Sequence, residues 1–241
     1  MRKNISGFTL LEMAMVLMIV GLLLGGLMPT LSAQMEARRI NETRISVGEI
    51  QDALMGFAIS NGRLPCPADP SIATGQTGAG IERAPPCTSS NSAGVLPWAT
   101  LGVDETDAWG NRYTYRVSSD FADAVGSATY GCTPSPAPAL STFAICSSGT
   151  LDVLSAASGG TTVAIDVPAV IISHGKNAAG AYTTQGTQLP ASSDGDEQEN
   201  SDGSADNNYV NHTPTPNFDD RVVWLSNNIL LNRMVTAGKL P

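Results

Sequence analysis

Two patterns follow one another at the start of the chain. Residues Met1–Gly7 are short, polar and basic. From Phe8 to Met28 apolar residues then run almost without interruption, and Glu12 is the single ionisable side chain among them. About 20 apolar residues span a bilayer, and a carboxylate within such a stretch costs roughly 2.5–3.5 kcal/mol, so Glu12 needs a partner or a use. Beyond Pro29 the apolar positions Ile40, Val47, Ile50, Leu54 and Phe57 recur at helical spacings, with Arg38, Arg39, Glu42, Arg44 and Glu49 between them. The two patterns predict one helix from Phe8 to about Ser60, about 80 Å long. Asn61-Gly62 and Pro65 supply its stop. Pro29 removes one helical hydrogen bond and is expected to kink or loosen the helix there.

Residues 62 to about 108 are rich in Pro, Gly, Ser and Thr and read as a long loop, a length that is unusual unless functional or stapled. Tyr113, Tyr115 and Val117 alternate with polar residues after a Gly110-Asn111 turn, as in a half-buried strand. Further strand candidates are Thr142–Cys146, Thr162–Asp166, Ala169–Ser173 and Arg221–Leu225. Residues 190–217 have the composition of an acidic loop. Ser226–Lys239 reads as a final helix, with Ile229, Leu230, Met234 and Val235 on one face. One long helix followed by antiparallel strands is an α+β arrangement, the sheet burying a face against the helix.

Charge orients this plan. Arg2 and Lys3 precede the apolar run, and positive flanks stay cytoplasmic, which places everything after Pro29 on the outer side. The 241 residues hold 13 Lys+Arg against 22 Asp+Glu, a net charge of −9, and no basic cluster for nucleic acid. Cys66, Cys87, Cys132 and Cys146 all fall on the outer side, where disulfides persist. Their spacing fits two local pairs, Cys66–Cys87 and Cys132–Cys146, among three possible connectivities. Zinc is a poor reading, because there is no CxxC and His174 and His212 lie far from the cysteines.

The segment Gly7-Phe8-Thr9-Leu10-Leu11-Glu12 and the apolar run behind it resemble the leader and N-terminal helix of type IV pilins and type II secretion pseudopilins. The resemblance implies cleavage after Gly7 by a prepilin peptidase, N-methylation of Phe8, and an assembly role for Glu12. It divides the chain into a leader (1–7), a transmembrane and filament-core segment (8–29) and a periplasmic or extracellular pilin-like domain (30–241). The partners it implies are other pilin or pseudopilin subunits, an inner-membrane assembly platform and the inner membrane itself. Loss of the leader removes Arg2 and Lys3, lowering Lys+Arg to 11 against 22 acidic residues, a mature charge of −11. Asp107-Ala108-Trp109-Gly110-Asn111-Arg112-Tyr113 is similar to the Asp-Pro-Trp-Gly-Asn-x-Tyr segment of major pseudopilins, with Ala108 in place of proline. Residues 172–177 and 219–224 resemble their C-terminal region more loosely.

No enzyme signature is present: there is no G-x-S-x-G elbow and no H-E-x-x-H. His174, in Ser-His-Gly, reads as a turn histidine bonded to backbone. The acidic segment from Asp194 to Asp206 carries oxygen ligands suited to calcium, at Asp194, Asp196, Asp202 and Asp206. It departs from the EF-hand pattern at Gln198 and Glu199. Major pseudopilins bind calcium between two C-terminal loops, and Asp219 and Asp220 fall in the matching region. Two other classes compete with a filament subunit: a membrane-tethered binding or adhesion module that keeps its leader, and a secreted enzyme cut near Ala33.

Overall fold

A computed structural model describes residues 7–241 apart from 88–90, 127–131, 134–136 and 204–205, and describes residues 24–31 by backbone only. Its elements are α1 (Leu10–Asn61), β1 (Ala93–Val95), α2 (Trp98–Leu101), β2 (Thr114–Val117), β3 (Leu151–Leu154), β4 (Thr162–Val167), β5 (Ala169–Ser173), α3 (Gly195–Ser201), β6 (Asn208–Val210), β7 (Arg221–Trp224) and α4 (Asn227–Thr236), with one short 3-10 turn at Ser119–Phe121. The chain forms two units, Met1–Glu42 and Thr43–Pro241.

In the first unit every large apolar side chain from Leu10 to Leu23 is exposed, by 42% to 92%. Among the described residues no helix is long and apolar enough to cross a membrane. The apolar run continues into residues 24–31, whose side chains are outside the description, so its described part stops short of the roughly 20 residues a span takes. α1 continues as helix through Pro29, the position at which the sequence leads one to expect a kink or loosening.

The second unit is built around a four-stranded antiparallel sheet in the order β1-β2-β5-β7. One face carries Tyr113, Tyr115 and Val117 with Ala169 and Ile171, packed with Val47, Ile50, Leu54 and Ala58 of α1 and Leu230, Leu231 and Met234 of α4. The buried stripe of α1 therefore runs through Thr43 and Ala58, while Ile40 is 45% exposed and Phe57 is half-buried. On α4 the stripe is likewise turned: Leu231 is buried, and Ile229 and Val235 face solvent. α1 stops where expected. Gly62 takes φ +70°, and its N–H donates to the Ala58 carbonyl at 2.8 Å.

Val170, Ile172, Val222 and Trp224 of the opposite face pack against Leu151, Val153, Val167 and Tyr209. Those residues belong to a second, three-stranded sheet in the order β4-β3-β6. Its β3–β6 pair is parallel, which departs from the all-antiparallel expectation. Thr142–Cys146 is not a strand. The Cys132–Cys146 disulfide ends it in a turn, Thr142 N–H donates to the Gly62 carbonyl at 2.9 Å, and Phe143 stacks on Phe121 with 4.7 Å between ring centroids.

The loop 62–108 needs little regular structure because it is pinned by charge and covalent bonding. Arg63 donates twice to Glu82, at 2.8 Å each, and Glu82 also accepts from the Cys66 N–H at 3.0 Å. Arg112, fully buried, pairs with Glu105 at 2.8 Å, donates to the Pro70 carbonyl at 3.0 Å and lies 4.6 Å above the Trp98 ring. Cys66 and Cys87 form a buried disulfide across 21 residues. Replacing both by alanine is expected to lower stability by about 3 kcal/mol. Equilibrium urea unfolding checks this, and an unchanged midpoint would show that the ion pairs alone hold the loop.

Candidate functional site

At the N-terminus Gly7 has open space around it. Thr9 and Glu12 cap the start of α1 reciprocally. The Thr9 hydroxyl oxygen accepts the Glu12 N–H at 3.3 Å, and Glu12 Oε2 accepts the Thr9 N–H at 2.9 Å and its hydroxyl at 3.0 Å. This capping box satisfies otherwise orphaned donors and gives the Glu12 carboxylate a fixed local partner. Thr9 is a capping residue outside the Gly7, Phe8 and Glu12 set, although Thr-x-x-Glu ahead of an apolar run is a legible signal.

The Asp107–Tyr113 segment forms a tight turn around a buried carboxylate. Asp107 Oδ1 accepts the Trp109 and Asn111 N–H groups at 3.0 Å each, and Oδ2 accepts the Ser173 hydroxyl at 2.6 Å. Burial pushes the Asp107 carboxyl above its usual range, and those three donors pull it back. Ala108 N–H donates to Thr43 Oγ1 on α1 at 3.3 Å. The turn thus joins α1 to the end of β5, where the next site begins.

That site is a carboxylate centre. Glu197, from α3, meets Asp219 and Asp220, which precede β7; one carboxylate oxygen from each lies within 4.8 Å of the others. In each carboxylate one oxygen is held by donors. Glu197 Oε1 accepts Asn177 Nδ2 at 2.6 Å and the Asp219 N–H at 3.0 Å. Asp219 Oδ2 accepts the Lys176 and Asn177 N–H groups at 2.9 and 3.0 Å, and Asp220 Oδ2 accepts Asn200 Nδ2 at 2.9 Å. The other three oxygens, Glu197 Oε2, Asp219 Oδ1 and Asp220 Oδ1, are buried without a hydrogen-bond partner. Glu197 is 0% and Asp220 3% exposed. Burial pushes the Asp219 carboxyl above its usual range; two backbone N–H groups oppose this, and the Glu197 and Asp220 charges add to it. Gly175 lies alongside in the left-handed region, φ +59°, where an added Cβ would meet Asp219 Oδ1 at 2.6 Å.

The centre differs from the set read in the sequence. Asp219 and Asp220 belong to it, and Glu197 joins them. Asp194 caps α3 by accepting the Asp196 N–H at 3.0 Å. Asp196 accepts the Ala157 N–H at 2.7 Å and faces His212 Nε2 at 3.2 Å. Asp206 binds the Asn208 main-chain and side-chain N–H groups at 2.7 and 3.0 Å. Asp202 closes α3 near Glu199, and burial pushes both of these carboxyls up, with Asp206 adding to each. His174 stands just before a turn as read, but it is fully buried and its ring bonds a side chain rather than backbone. Its Nε2 bonds Thr114 Oγ1 at 2.8 Å, and Nδ1 lies 3.5 Å from Asp220 Oδ1.

Residues 2–28 match the family described as the prokaryotic N-terminal methylation motif. The chain carries a type IV pilin/pseudopilin leader. The motif belongs to a structural rather than a catalytic family, and it implies processing by prepilin peptidase and assembly with other pilin subunits. No curated protein and no solved structure matches the chain.

Proposed function

We propose that this protein is a structural subunit of a type IV pilus-like filament, either a minor pilin or a type II secretion pseudopilin, cut after Gly7 and methylated at Phe8. The observation that carries the reading is the leader motif on an α1 whose apolar side chains are exposed from Leu10 to Leu23. So much exposed apolar surface requires a cover: the membrane over residues 8–29 before assembly, and neighbouring subunits after it. Residues 30–241 then lie in the periplasm or outside the cell, and assembly runs on an inner-membrane platform.

In the filament Glu12 faces a new partner. Cleavage exposes the Phe8 amino group, cationic at neutral pH, and a neighbour's Glu12 neutralises it within an apolar core where an isolated charge is very unfavourable. Truncating one partner of a buried charge pair costs about 2–5 kcal/mol. Glu12→Ala is therefore expected to leave leader cleavage intact while incorporation into sheared filaments falls at least about tenfold. Immunoblots of the filament and membrane fractions test it, and normal incorporation would remove Glu12 from assembly.

The carboxylate centre fits one calcium ion. Three buried open oxygens concentrate negative charge, with His174 Nδ1 3.5 Å from Asp220 Oδ1, and carboxylate oxygens within 4.8 Å of one another suit a cation with ligands at about 2.3–2.6 Å. Magnesium demands near-ideal octahedral geometry at about 2.0–2.1 Å and gives up its waters reluctantly, so it suits three protein carboxylates less well. Bound there, calcium supplies charge neutralisation and clasps α3 to the segment before β7.

A further inference from the structure

Asn177 touches two of the three carboxylates. Its main-chain N–H donates to Asp219 Oδ2 at 3.0 Å, and its side-chain Nδ2 donates to Glu197 Oε1 at 2.6 Å. Its Oδ1 accepts the Ala179 N–H at 2.9 Å. That last bond fixes the amide orientation, because only an oxygen accepts from a main-chain N–H, so the donor edge must face Glu197. The Asp219 N–H also donates to Glu197 Oε1, at 3.0 Å. Asn177, Glu197 and Asp219 therefore close a ring of hydrogen bonds that uses one oxygen of each carboxylate and leaves the other open.

We propose that Asn177 is the positioning residue of this centre, aligning Glu197 and Asp219 so that each presents a single oxygen to a calcium-sized cation. The inference rests on the calcium reading above and extends it to a residue that makes no contact with the ion. Glu197 projects from a helix of seven residues on a flexible side chain, and the Asn177 amide is one of two anchors holding its inner oxygen. Calcium takes six to eight oxygen ligands and draws on all three carboxylates together. Magnesium keeps several of its waters and uses one or two carboxylates, so it gains little from the alignment. Asn177 is itself exposed, and its replacement removes one of the two donors to Glu197 Oε1 while the Asp219 N–H keeps the other.

The test is calorimetric titration of calcium chloride and, separately, magnesium chloride into the full-length chain in detergent, wild type against Asn177→Ala. Melting of both proteins in chelator accompanies it. Loss of an outer-shell partner typically costs 10–100-fold in metal affinity. The expected result is a calcium affinity lower by that factor and an unchanged magnesium affinity, with a metal-free melting temperature at most a few degrees lower from the lost hydrogen bond. Unchanged calcium affinity in the variant would overturn the role of Asn177 and leave the calcium reading standing. A parallel loss of both affinities with a larger fall in metal-free melting temperature would make Asn177 merely structural, which also overturns it. A wild-type chain that takes up no calcium would overturn the calcium reading itself.

Discussion

Replacing Gly7 with valine is expected to leave the protein as uncut precursor, longer than the processed chain by the seven residues Met1–Gly7. A membrane peptidase must bring its catalytic groups against the backbone at the scissile bond. Glycine offers no side chain to obstruct that approach, and Gly7 has nothing within 4 Å of where a Cβ would lie. A branched side chain there blocks the enzyme without disturbing the fold, so the effect is close to all-or-none. Intact mass measurement of the membrane fraction reads it directly. Normal trimming of Gly7→Val would place the cleavage determinant elsewhere.

Calcium should have the second large effect. At about one hundred times its dissociation constant, a ligand that binds only the folded state adds about 2.7 kcal/mol, a rise of roughly 5–10 °C in melting temperature for a domain of this size. Asp220→Asn should abolish the response. In chelator the same variant should melt no lower than wild type, because it removes a buried charge whose Oδ1 has no hydrogen-bond partner and only His174 Nδ1 at 3.5 Å, while its retained oxygen can still accept Asn200 Nδ2. Thermal unfolding of the full-length protein in detergent, with calcium and with chelator, checks both halves. A melting curve indifferent to calcium would reduce the centre to a buried acidic cluster.

What was legible in the sequence divides by the kind of signal. The long helix and its stop were legible because many residues repeat one period and Asn61-Gly62 carries its own conformational preference. The leader was legible because Gly7, Phe8 and Glu12 sit at fixed offsets. The short elements were not. β6 has three residues and owes its state to a parallel pairing with β3 from distant sequence, which no local pattern encodes. Thr142–Cys146 is a short apolar run like a strand, yet a disulfide and the burial of Phe143 beside Phe121 decide its path. The carboxylate centre was half legible. Asp219 and Asp220 stood out beside a strand, whereas Glu197 was one acid among many. Which acid of that run turns inward depends on the face α3 presents, and that face exists only once Asp194 has capped the helix.

The claim that this chain is a processed filament subunit is tested most directly by the N-terminal mass of the mature protein purified from membranes. A processed subunit begins at Phe8 and is heavier than that sequence by the one methylene of an N-methyl group. A chain that still begins at Met1, or one that begins near Gln34, would contradict it.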